Sequence, residues 1–455
     1  MPRPHRFRAV LLLCTSLAAV LTGRADGRAS GAVPRAAAPV PAFTLPLETF
    51  GYRPGTSAIA LRSGYTNAAL FFIDADHLLL TFSARKLMHR SEDQREGDDD
   101  HTVRAEVVHL PDGKIVRETE WRMHDRAPYL WPLANGKFLL RERGDLYALD
   151  PMGGARPDKL GQHLLLHTEN DIESLQLSPA QDLLLVQTRP SRKVGDDPEE
   201  HRELPIAADF FRLDYGSNGT VQLHSRGHAV SRRPFTLAFT SMGVLQTVKE
   251  DRMHWGFDFR TYGGKKVELA GFTSTCRPLS FFVSDAEFFA YGCRGGEERR
   301  LMGGFNLLAE AKWVFTMDDA PLWLGISSAP ASGRFAVRST LTTSPAQESD
   351  RLGSEDIRAQ EVRVYSSRQG AELLRVNCSP AQRPGGNFAL APDGLRLALL
   401  HGTQLEVYNL PAVSPDDAKL YQREQTSLQP LRPSAELNVV MGLTSDGGES
   451  AGSRK

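Results

Sequence analysis

The chain has 455 residues, with 54 Lys and Arg against 55 Asp and Glu and a formal net charge of -1. That length accommodates two or three ordinary domains or one large all-β domain, and 41% hydrophobic residues suffice for a real core. The balanced charge excludes a general nucleic-acid or polyanion binder, which would carry a strong basic excess.

Residues 1–25 read as a secretory signal. Arg3, Arg6 and Arg8 precede the apolar run Ala9–Leu21, which is too short to span a bilayer comfortably. Small-residue pairs at Gly23 and Ala25, or Gly27 and Ala29, allow cleavage as late as residue 29. Leu13 stands before Cys14, where a lipoprotein signal needs a small residue. The mature chain is therefore expected to be secreted or periplasmic, with no membrane span once the signal is removed. Residues 26–56 read as a linker and extended lead-in, rich in Ala, Pro and Gly over 26–42.

A strand–turn–strand unit then recurs seven times. It is plainest in Gly385–Pro411, where Phe388–Leu390, Leu395–Leu400 and Gln404–Leu410 read as three strands. Ala391-Pro392-Asp393-Gly394 makes the first reversal: proline presets φ, Asp bonds its own backbone and Gly accepts positive φ. Turn centres fall near Asp74, Asn135, Pro179, Ser241, Asp285, Ser332 and Asp393, at separations of 61, 44, 62, 44, 47 and 61. Each long interval holds one charged, apolar-poor insert, at 86–100, 190–205 or 341–358. Without roughly 15 residues apiece, the intervals shrink to the length of a propeller blade. Outer strands follow each core hairpin, as in Val103–Leu110 with Ile115–Glu120, turned by Pro111–Gly113. No convincing helix exceeds two turns.

The expectation is an all-β, seven-bladed β-propeller of four-stranded antiparallel blades over residues 57–411. The seventh unit shows only three strands, so an N-terminal strand near 57–62 (SAIALR) is expected to close the ring and hide an open edge. Residues 412–455, polar and poor in apolar positions, read as a mobile tail. The turn motifs SPAQD at Ser178–Asp182 and APDG at Ala391–Gly394, with the closing LEVYNLP, resemble the broad YVTN and WD-repeat-like class. The chain is similar to secreted bacterial propellers that lack an assigned activity. No Trp-Asp dipeptide ends a blade.

Functional signals are sparser. No GxSxG elbow, HExxH or CxxCH motif occurs, and no catalytic residue, cofactor or metal site is assigned. His163 and His167 share a face of one strand about 13 Å apart, too far to grip one metal. Cys276 and Cys293 flank a hairpin around Ser284–Asp285; they are candidates for a disulfide in an oxidising compartment, or for two buried thiols on neighbouring strands. Arg126, Arg233, Arg277 and Arg383 each stand just before an innermost strand, beside a proline suited to a strand's first residue. There they would ring one mouth of the channel, with His124 and Asp125, and clamp an anionic group through forked hydrogen bonds. Alternatively, each Arg ties its blade to the next through a carboxylate. All three inserts follow a second strand and should open on that same face, where binding on rigid scaffolds concentrates. The leading expectation is a monomeric, non-enzymatic propeller binding a protein partner or small anionic ligand there. The rival is an enzyme (lyase, glycan-acting hydrolase or quinoprotein-like oxidoreductase) working at the Arg-lined mouth.

Overall fold

A computed structural model describes residues 39–53, 68–86, 99–125 and 127–431, apart from 154–157, 192–196, 218, 297, 347–349, 351 and 383–385. The signal segment 1–25 thus lies outside the described residues.

Seven four-stranded antiparallel sheets form the seven blades of a β-propeller. The innermost strands are Ala68–Phe72, Leu130–Leu133, Asp171–Leu177, Ala238–Phe239, Leu279–Phe282, Leu322–Ala329 and Phe388–Leu390. Each runs from what we call the upper face to the lower, where a tight turn returns the chain. Blade-to-blade connections and second-to-third-strand loops therefore share the upper face.

The sequence pattern of each strand follows its depth in the blade. Second strands are sandwiched between neighbouring blades, so Leu183–Arg189 and Glu287–Cys293 are buried at every position. An outermost strand such as Ile115–Met123 keeps one face wet and largely alternates. Facing sheets fuse into hydrophobic clusters that bridge neighbours; one joins Phe335 and Val337 of the sixth blade to Phe289 and Tyr291 of the fifth. The lower turns have the expected chemistry. Asp74 accepts from the Asp76 amide at 2.8 Å and Asp393 from the Leu395 amide at 2.9 Å. At Gly136, with φ of 69°, a Cβ would sit 2.7 Å from the Ile73 carbonyl oxygen, so only glycine fits.

Closure differs from expectation in place. The fourth strand of the last blade is Phe43–Pro46, paired antiparallel with Gln404–Asn409 through Phe43 opposite Val407 and Leu45 opposite Leu405. Residues 57–62 lie outside the described residues. The lead-in assigned to 26–56 therefore contains the closing strand. Directly after it, Leu47, Phe50 and Tyr52 bury themselves with Phe82, Leu110 and Leu405 between the last blade and the first. The segment works as a plug as well as a strand.

Within the stretch read as a polar, mobile tail, the structure describes residues 412–431 and gives them regular structure. Pro415–Ser427 is a helix of 13 residues, hereafter α2, because α1 is the short Pro198–Glu203 in the second insert. Ser414 caps α2 by accepting from the Asp417 amide at 3.0 Å. The helix buries no residue along its length, but Leu428, next after it, is 1% exposed in the core of the fourth and fifth blades. No described helix is long and apolar enough to cross a membrane.

Candidate functional site

The upper face carries the inserts, as the strand order requires: each lies between the second and third strands of its blade, in the first, third and sixth blades. The first falls almost wholly outside the described residues. The second is folded back on the scaffold. The Arg189 guanidinium donates to the carbonyls of His201 at 3.2 Å and Arg202 at 2.8 Å and pairs with Glu173 at 3.0 Å. Asp197 caps α1 through the Glu199 amide at 2.8 Å. The third packs Ala346, Leu352 and Ile357 on Leu322, Trp323 and Ala381, and Arg358 pairs with Asp319 at 2.8 Å.

The arginine ring is only partly visible. Arg126 and Arg383 lie outside the described residues; Arg233 and Arg277 are exposed on the upper face. His124 and Asp125 are engaged elsewhere. The His124 Nδ1 lies 2.8 Å from Asp100 and 3.0 Å from the Arg143 guanidinium. Asp125 accepts from the Ala127 amide at 2.8 Å and from Arg141 at 2.6 Å. Arg141 also donates to the Pro128 carbonyl, which fixes the lead-in to the second blade. Asp100 is buried beneath. Burial opposes its charge, yet hydrogen bonds from Arg122 and His124 win and hold its carboxyl below the usual range. His124 and Asp125, expected from sequence to join the arginines at the channel mouth, thus take part in holding the rim.

Cys276 and Cys293 form a disulfide on this face, joining the start of the fifth blade's inner strand to the end of its second. The Ser274 hydroxyl sits between them, donating to the Cys276 carbonyl at 2.6 Å and accepting from the Cys293 amide at 2.9 Å. Cys378 is buried and unbonded to another cysteine. Among the described residues, no group of three or more His, Cys, Asp or Glu is placed to hold a metal.

Between the sixth and seventh blades lies a polar network that the sequence did not suggest. The Arg338 guanidinium, 1% exposed, donates to Asn387 at 3.2 Å and to the Trp323 carbonyl at 3.4 Å. Burial lowers its pKa. Asn387 in turn donates to Gln360 at 2.8 Å, and Gln360 to Thr340 at 2.8 Å and the Gln382 carbonyl at 2.9 Å. Trp323 holds a φ of 49°, a strained value for a bulky residue.

The second prominent feature was not anticipated either. A cavity of about 1080 Å³ occupies the channel, walled by the inner strands of the first, second, sixth and seventh blades and by the lower turns. Tyr421 and Gln425 of α2, four residues apart and so on one helical face, complete its wall. Its charged wall residues are Asp74, Asp150, Asp285 and Asp393, with no Lys or Arg among those described.

The fold defines the class: this chain is a seven-bladed β-propeller. No family model matches its sequence, and no curated protein does. Solved structures similar to it include one from the Mitotic Checkpoint Complex, with 11% identity, 88% of this chain and 100% of that chain covered and a TM-score of 0.42. The C-terminal WD40 domain of Sif2 shares 8% identity over 76% of this chain and 98% of its own, with a TM-score of 0.39. Oligogalacturonate lyase in complex with manganese shares 10% identity over 76% of this chain and 96% of its own, also with a TM-score of 0.39.

Proposed function

We propose that this protein is a non-enzymatic binding scaffold of an oxidising compartment outside the cytosol, taking a protein partner on its upper face. The observation that carries this reading is the common placement of the three inserts on one rim. The visible parts of two of them are tied to the blades, through Arg189 in one case and through the Leu322–Trp323–Ala381 cluster in the other. Loops anchored in this way present a surface with little ordering cost on binding. The disulfide on the same rim supports the compartment, since such bonds persist where thiols are not kept reduced. Arg233 and Arg277, exposed on the same face, give the surface a cationic element that suits an acidic patch on the partner.

The test is affinity capture from the native envelope extract, with three baits compared. They are the mature protein, a variant with 190–205 and 341–358 shortened to Gly-Ser turns, and R233E/R277E. Partners held by the first bait should be lost from the second and weakened at least ~10-fold on the third, with a steeper loss in salt. Undiminished capture by both variants would remove the upper face from consideration.

A further inference from the structure

We propose that His77 and His109 form a binding site for a divalent transition metal on the lower side of the first blade. The two residues stand directly opposite one another: His77 opens the second strand, His77–Lys86, and His109 closes the third, His101–His109. Their backbones point away from each other. The His77 carbonyl accepts from the Ile73 amide, and the His109 amide donates to the Lys114 carbonyl, each at 2.9 Å and each within its own hairpin. An antiparallel pair of this non-hydrogen-bonded kind brings its side chains closest, with Cα atoms about 4.5 Å apart. The two imidazole rings meet accordingly, their centres 5.2 Å apart.

Two carboxylates decide which ring nitrogen is left for a ligand. Asp74 lies 2.9 Å from the His77 Nδ1, and Asp112 lies 2.8 Å from the His109 Nδ1. Each carboxylate is itself fixed by its turn: Asp74 accepts from the Asp76 amide at 2.8 Å and Asp112 from the Lys114 amide at 3.1 Å. The hydrogen bond from His109 holds the Asp112 carboxyl below its usual range, so this acceptor stays charged. With its proton kept on Nδ1, a neutral imidazole carries its lone pair on Nε2. That is the tautomer a metal takes, and a carboxylate behind the ring fixes its orientation and raises its basicity. The turn aspartates are thus spent on positioning, and the strand-end histidines supply the two donors.

The spacing of the rings suits a shared ion. A metal about 2.0–2.1 Å from an imidazole nitrogen stands about 3.2 Å from the ring centre. Two rings on one metal then have centres about 4.5 Å apart at a right angle and about 5.2 Å apart at a tetrahedral one. The observed separation matches the second value. Imidazole donors select copper, nickel and zinc over calcium and magnesium, which prefer oxygen, and the affinity order places copper first. Water completes the coordination.

The probes are Cu2+, Zn2+ and Mg2+ alone, titrated into the tag-free mature chain. One Cu2+ per chain should bind at ~10 µM or tighter, Zn2+ at least ~10-fold more weakly, and Mg2+ not at all up to ~5 mM. The electron paramagnetic resonance spectrum of the first Cu2+ equivalent should show two coordinated imidazole nitrogens. His77→Ala and His109→Ala should each lose at least ~10-fold in Cu2+ affinity, because either change ends the joint grip. D74N/D112N keeps both imidazoles and residues suited to the turns, yet should lose ~10-fold through the missing support behind the rings. His254→Ala is the control, its Nδ1 being held by Asp251 at 2.8 Å in the same manner, and it should bind as the unmodified chain does. Cu2+ affinity kept within ~3-fold in H77A/H109A would overturn the site, as would a single coordinated nitrogen in the unmodified chain. Full affinity in D74N/D112N would overturn the role given to the carboxylates. The spectrum of the unmodified chain decides the question even where a variant folds poorly.

Discussion

Replacing Phe50 by alanine tests how the ring is sealed. Phe50 is 1% exposed and packs with Leu47, Tyr52, Phe82 and Leu405, residues from the first blade, the last blade and the lead-in. A buried Phe-to-Ala change removes transfer energy and leaves a cavity, together costing about 3–5 kcal/mol. The seam should weaken by that amount because the surrounding strands are held by their own ladders and close poorly over the gap. At about 1.4 kcal/mol per decade, the folded-to-unfolded ratio falls by a hundredfold or more. The assay is equilibrium guanidinium unfolding followed by tryptophan fluorescence, with Val40→Ala as the control. Val40 is 84% exposed and should shift stability by less than about 0.5 kcal/mol. Deleting 39–50 outright removes the strand beside Gln404–Asn409, and the bared edge should drive self-association visible by size exclusion. Were Phe50→Ala and Val40→Ala indistinguishable, the segment 43–52 would not be what closes the propeller.

Three other outcomes follow from the same geometry. Replacing both Cys276 and Cys293 by serine should cost about 3 kcal/mol, the loop-closure value for a sequence separation of 17, and dithiothreitol should reproduce the loss in the unmodified protein; no change on reduction would refute a stabilising bond. Cys378 is buried and its thiol is pushed up to about 12 by burial, so iodoacetamide at pH 8 should label it only after unfolding. Fast labelling of the native chain would contradict that placement. Glu106, fully buried beside Arg104 at 2.7 Å, has its carboxyl pushed up to about 7 by burial, partly offset by that guanidinium. Its folded pKa lies above the unfolded one, so its contribution is full below the unfolded value and is lost as pH rises through 7. Glu106→Gln should flatten the decline in stability between pH 5 and 8; an unaltered slope would assign the decline to other groups.

The repeat was legible because each blade's inner hairpin needs a tight turn, and the residues that make such turns are few. Asp74, Asn135 with Gly136, and Asp393 with Gly394 all sit where their turn chemistry marks them. The disulfide was one of two readings, and strand pairing decided it by bringing the lead-in of the fifth blade beside the end of its second strand. The closing strand was misplaced because Phe43–Pro46 is four residues long, alternates only once or twice, and lies in a proline-rich stretch. SAIALR has the stronger strand pattern, and pattern alone cannot register which edge needs covering. The helix α2 was hidden for the opposite reason. Its own residues are unburied and its contacts are mainly ionic, so no apolar stripe marks it, and Glu424 and Lys312 are 112 residues apart in sequence. Arg338 shows the same limit, since nothing in the string RFAVRSTL says that its guanidinium will be taken up by Asn387 of the next blade.

The two faces of the ring solve different problems with the same scaffold. On the upper face, chain connections must pass between blades, and the structure fixes them with charge-assisted bonds to carbonyls and carboxylates: Arg141 to Pro128 and Asp125, Arg189 to His201 and Arg202. Such bonds hold a loop in register while leaving its outward side chains unconstrained, which is what a recognition surface requires. On the lower face the turns are short, their side chains are spent on their own backbones, and little is left to bind with. The lower mouth instead borrows a helix from the C-terminal segment, and that helix supplies an aromatic ring and an amide to a channel otherwise walled largely by inner strands and turns. Glu424 reaches Lys312 and Asn306 of the fifth blade and Asp417 pairs with Arg368 of the sixth, so the helix bridges two blades while Tyr421 and Gln425 line the channel.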